Sequence, residues 1–164
     1  MASSSSEIVT ALVLWTLGLM PASDLPRVAV EALQDGRDSQ ALRSLAGADG
    51  EEGAVVTHLF QQVVGEAGIL MLSKRDAACL YAEAICRKIV GGHLPPLEGA
   101  RFIIVAARRV SDSSFHDLDP FIYAESEAES RPEEKEFFDL EIRAEAERWV
   151  QKGSERSSEV TLCI

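Results

Sequence analysis

His116-Asp117-Leu118-Asp119 sets one imidazole and two carboxylates within four positions, a combination of metal-ligand and acid–base side chains. Zinc or a hydrolytic metal pair accepts such donors, but it needs more of them at ligand spacing. The other histidines, His58 and His93, are distant and build no HExxH, HxH or CxxC arrangement. No metal site is expected, and His116 and its neighbours are assigned to the surface or to helix capping. Nucleophilic catalysis has no stronger case, because no GxSxG elbow occurs and nothing diagnostic surrounds Cys79, Cys86 or Cys163. Neither GxGxxG nor a phosphate loop is present, so no nucleotide cofactor is expected. The chain is therefore expected to be non-enzymatic and to carry no cofactor.

The cysteines point to a compartment instead. Three of them, without a CxxC pair, suit a reducing cytoplasm better than a disulfide framework. Cys79 and Cys86, seven apart on an expected helix, read as core residues. Cys163 misses the prenylation position four from the end and is expected to be a free thiol in a frayed tail.

Charge is the more informative property. The net charge is -11, and ten of those negative charges fall within residues 112–147, where thirteen acids face only Arg131, Lys135 and Arg143. The preceding 111 residues are nearly balanced, with twelve acids and ten bases. Such an acidic end repels a phosphate backbone, whose binding requires clustered Lys and Arg, so nucleic acid is excluded as a partner. A cationic protein is the natural complement, drawn in by a field that fades as salt shortens the screening length to about 10 Å at 0.1 M. Candidate partner-binding residues are Asp112, Asp117, Asp119, Glu125, Glu127, Glu129, Glu133 and Glu134, with Phe121 and Tyr123 as aromatic anchors. Phe115 lies in the same run. Arg101, Arg108 and Arg109 are expected to pair internally with this acidic end.

Helical signals organise the chain that must position these groups. Ser23-Asp24-Leu25-Pro26 starts a helix that Gly36 ends, and Asp38 or Ser39 caps a second that stops at Gly47, together a helical hairpin. Apolar residues at 55, 56, 59, 60, 63 and 64 have helical spacing and end at Gly65. Ser73 and Asp76 form a capping box before Ala77, Leu80, Tyr81, Ala84, Ile85 and Ile89, and Gly91-Gly92 terminates that helix. Pro95-Pro96 opens another segment whose middle, Phe102-Ile103-Ile104-Val105, is β-branched enough to suggest a buried strand; helix is favoured because nothing convincing could pair with a strand. Beyond a polar linker at 111–114, a short helix is expected over 117–124. Ser130-Arg131-Pro132-Glu133-Glu134 then starts an amphipathic helix with Phe138, Ile142, Ala146 and Trp149 on one face.

Residues 8–20 form a thirteen-residue apolar stretch followed by Pro-Ala-Ser, superficially a secretory segment. The seven residues before it carry Glu7 and no Lys or Arg, whereas a signal peptide has a positively charged start. The stretch is also shorter than the roughly 20 residues of a membrane span. It is expected to be a buried first helix.

The hairpin region, with Leu25, Pro26, Ala29, Ala32, Leu33, Gly36, Asp38, Ser39, Leu42, Leu45 and Gly47 at its cap, glycine and apolar positions, resembles a segment of small helical bacterial immunity proteins of polymorphic toxin systems. The likeness covers about 23 of 164 residues and transfers no catalytic residue. It implies a small acidic inhibitor that neutralises a basic toxin or effector.

The expected architecture is all-α, a multi-helix bundle of seven or eight helices, with a strand at 101–107 as the α+β alternative. A single helical domain is expected over residues 1–152, with an acidic helical part at 112–150 and a mobile tail at 153–164. The expected function is binding: an immunity- or antitoxin-like inhibitor of a cationic protein partner, or else an adaptor or self-associating homodimer.

Overall fold

The computed structural model describes the backbone of residues 4–161 and the side chains of residues 7–153. It contains eight α-helices and two single-turn 3-10 segments, and no strand occurs among the described residues. The fold is all-α, and the strand alternative at 101–107 is excluded. The chain divides into two units, Met1–Ala77 and Ala78–Ile164.

The first unit contains α1 (Ser4–Thr16), α2 (Leu25–Gln34), α3 (Gln40–Ala46) and α4 (Gly53–Glu66). A 3-10 turn, Ala22–Asp24, leads into α2, and Pro26 occupies its first turn. Helix α2 ends in a Schellman pair: Gly36 N–H donates to Leu33 C=O and Arg37 N–H to Ala32 C=O, both at 3.1 Å, with Gly36 at φ +87°. Ser39 then caps α3, its Oγ accepting from Leu42 N–H at 3.2 Å. The expected hairpin is thus present with its expected glycine and one of its two candidate caps. Helix α4 runs past Gly65 to Glu66, and the left-handed Gly68 follows it.

Ile8, Leu12, Leu25, Leu45, Val56, Phe60 and Val64 are among the buried side chains of this unit's core. Trp15 meets Phe60 edge-on, with ring centroids 5.8 Å apart. The apolar stretch at 8–20 supplies Ile8, Ala11, Leu12, Val13 and Leu17 as buried residues, although its helix stops at Thr16. Among the described residues no helix is long and apolar enough to cross a membrane.

Helix α5 (Lys74–Val90) begins at the end of the first unit and continues into the second. Its start is the expected capping box: Ser73 Oγ accepts from Asp76 N–H at 3.1 Å and donates to Asp76 Oδ2 at 2.6 Å. The second unit adds α6 (Pro96–Ala107), α7 (Asp119–Ser130) and, after a 3-10 turn at Pro132–Glu134, α8 (Lys135–Thr161). Helices α6, α7 and α8 pack on one another.

The ambiguous segment of α6 shows a helical period. Gly99, Ala100, Ile103, Ile104 and Ala106 are buried, whereas Arg101, Phe102 and Val105 are exposed. Gly99 lies where another helix comes close: a Cβ there would stand 2.5 Å from Ile89 Cδ1 of α5. In α8 the expected face is buried, with Phe138, Ile142, Ala146 and Trp149 all inside. This helix continues through Gly153, where a tail was expected, to Thr161. Gly153 faces the Glu83 carboxylate of α5, which would have to swing aside for a Cβ. The side chains beyond 153, and all of residues 162–164 including Cys163, lie outside the described residues.

Candidate functional site

The acids of the second unit fall into classes that a one-dimensional reading cannot separate. Helix α7 buries Phe121, Ala124 and Ala128 on one face, a spacing that leaves the intervening positions to polar residues. Glu125 and Glu129, one turn apart, both point to α6, where Arg101 pairs with Glu125 Oε1 at 3.2 Å and with Glu129 Oε1 at 3.3 Å. This is the expected internal pairing, carried by Arg101.

Arg131 sits at the joint between α7 and α8. It bonds Glu127 one turn back and Glu134 at 3.4 Å ahead, and its guanidinium carbon lies 5.8 Å from the centroid of the Phe138 ring. The carboxylate of Glu127 beside it, with Glu134 in support, raises the Arg131 pKa, so its charge is constant at any physiological pH. Asp112 accepts from both the N–H and the Oγ of Ser114, at 2.9 and 2.8 Å, forming an Asx-type turn. His116 Nδ1 lies 2.8 Å from Asp119 Oδ2. That contact is local to the start of α7, and no group of three His, Cys, Asp or Glu able to hold a metal exists among the described residues. Asp117 is exposed in the loop before α7.

One anchor is corrected. Phe121 is fully buried and tilts against Trp149 with ring centroids 6.4 Å apart, so it belongs to the core and presents nothing to a partner. Tyr123, two positions on, is 64% exposed. The difference follows from the helix: two residues rotate the side chain by about 200°, from the buried face to the open one.

Two large apolar side chains of α8 are also exposed, and neither stands among the expected anchors. Phe137 is 55% and Leu140 68% exposed. The signal was available, since both fall outside the buried register 138, 142, 146, 149. Phe137 and Tyr123 line a groove of about 300 Å³ between α7 and α8, together with Arg131, Glu141, Glu145 and Arg148. Within it Arg148 pairs with Glu145 at 2.5 Å, while Arg131 is held by Glu127 and Glu134. Glu141 has no cation partner among the described residues, and the same holds for Glu133 and Glu136 elsewhere in the unit.

The site thus combines exposed aromatic surface with carboxylates that the protein's own arginines do not neutralise. The groove's lining includes no Ser, Thr, Cys, His or Lys. Cys86, on α5, is buried. Burial first, and the neighbouring Glu145 and Glu83 carboxylates second, push its thiol up to about 12, the opposite of activation. Comparison with family models, with characterised proteins and with solved structures finds no match to this chain.

Proposed function

We propose that this chain is a non-enzymatic binding protein that neutralises a basic protein, a toxin or effector, by covering its cationic surface. The observation that carries this reading is the groove between α7 and α8, where the exposed rings of Tyr123 and Phe137 stand with Glu141, in a unit that also exposes Leu140, Glu133 and Glu136. Protein interfaces concentrate affinity in aromatic anchors and take association rate and specificity from complementary charge. Four of the expected acids, Glu125, Glu127, Glu129 and Glu134, are held by internal arginines. Their role is to orient the surface and contribute to its field, and direct contact falls to the acids without internal cations. Cys79 and Cys86 form no disulfide, which suits a reducing cytoplasm.

The exposed Leu140 and Phe137 also favour a second reading, in which α8 pairs with a copy of itself as a homodimer or adaptor. One experiment separates the two. The tagged chain is used as bait at low and at high salt, any partner recovered is purified, and the complex is reconstituted for kinetics and mass measurement. The inhibitor reading expects a one-to-one complex with a basic protein, whose association slows with salt and slows again when Glu133, Glu136 and Glu141 are all changed to Gln. A defined oligomer of the chain alone, unchanged by salt, overturns it in favour of self-association.

A further inference from the structure

We infer that the α7–α8 groove receives a single arginine side chain of the basic partner, with its guanidinium among Tyr123, Phe137 and Glu141. The inference rests on the reading of the chain as a binder of basic proteins and specifies the contact.

Size comes first. At about 300 Å³ the groove stands at the bottom of the range for small-molecule sites, a size that suits one long side chain. Charge comes next. Arg131 and Arg148 already have carboxylate partners, so Glu141 is the lining acid left to attract a cation. The lining holds two carboxylates, Glu141 and Glu145, against Arg131 and Arg148, and Glu127 and Glu134 bind Arg131 from outside the lining, so the local balance is acidic.

The choice of arginine over lysine comes from the walls. A planar, weakly hydrated guanidinium stacks on aromatic rings and accepts a carboxylate as a bidentate partner, whereas an ammonium is a compact, strongly hydrated point charge. The groove's own edge shows this environment in use, since Arg131 lies over Phe138 and between Glu127 and Glu134. Phe137 and Glu141, one turn apart on α8, offer an incoming arginine the same pair of groups, a ring and a carboxylate.

The test uses the full chain and three blocked pentapeptides, glycine throughout with a central arginine, lysine or citrulline, titrated while NMR signals of the aromatic rings and Glu side chains are followed. The arginine peptide is expected to shift Tyr123, Phe137 and Glu141 and to bind about two- to fivefold more tightly than the lysine peptide. The uncharged citrulline peptide is expected to leave these signals in place. Glu141→Gln, at an exposed position where folding is not at stake, is expected to weaken arginine binding about threefold. Equal binding of the arginine and lysine peptides, with shifts spread over acids outside the groove, overturns the arginine site and leaves the broader inhibitor reading standing. An unaltered affinity in Glu141→Gln also overturns it. If the arginine peptide binds as expected but no basic protein associates with the chain, the broader reading falls and the groove chemistry survives.

Discussion

The side chain of Ile89 on α5 packs directly over the bare α-carbon of Gly99, at a point where α6 presents no side chain of its own. A methyl group at 99 would stand 2.5 Å from Ile89 Cδ1, 2.7 Å from Cγ1 and 3.2 Å from Leu94 Cδ2. Alanine is the better helix former, so propensity alone predicts that Gly99→Ala stabilises α6. Overpacking opposes this and is the larger effect, at about 1–3 kcal/mol. Gly99→Ala is expected to lower the denaturation midpoint, and Ile89→Val in the same chain to recover part of the loss. A Gly99→Ala chain as stable as the parent in urea denaturation contradicts the contact.

Phe121 and Tyr123 provide a paired test of the aromatic assignments. Phe121→Ala removes a fully buried ring and is expected to cost about 3–5 kcal/mol, enough to threaten folding. Tyr123→Ala, at a mostly exposed position, is expected to change stability by less than about 0.5 kcal/mol while weakening capture of an arginine peptide. Thermal melts and peptide titrations on the two variants check both halves.

Cys86 is expected to resist alkylation. With its thiol pushed up to about 12, the native protein at pH 8 holds almost no thiolate there, and iodoacetamide labelling followed by peptide mapping should find Cys86 modified only after denaturant is added. The same shift sets an alkaline trend. An unfolded cysteine loses its proton from about 8.5 upward. Between there and about 12 the native state binds more protons than the unfolded one, so stability falls as pH rises. Burial raises the Tyr81 pKa too, and its contribution has the same sign. Cys86→Ala should make the fall in stability above pH 9 shallower, leaving the Tyr81 part.

Helix α5 depends on a reciprocal cap whose loss is measurable by itself. Ser73→Ala removes both the bond to Asp76 N–H and the one to its carboxylate, and is expected to cost about 1 kcal/mol. Hydrogen exchange should show the loss as faster exchange in the first turn of α5, with α6 to α8 unchanged.

The parts of this fold that were legible in sequence are those decided locally. Ser39, Ser73 and Gly36 act through hydrogen bonds within a few residues, so their types and spacing announce the helix ends. The buried face of α8 was legible for the same reason, as a strict helical repeat. Segment 102–105 was harder, because β-branched residues fit strand and helix alike, and what decides is the packing of α6 against other helices. The site was the least legible. Phe121 stands in an acidic run and looked like a surface anchor, yet its spacing to Ala124 and Ala128 turns it inward. The same run hid which carboxylates face an arginine, since Arg101 reaches Glu125 across 24 positions of sequence.

At Gly153 the missing side chain leaves the Glu83 carboxylate of α5 its place. Glu83 Oε1 pairs there with Arg87, one turn along the same helix, at 2.7 Å. A residue with a Cβ at 153 would push that flexible carboxylate aside, so one glycine of α8 guards an ion pair of α5.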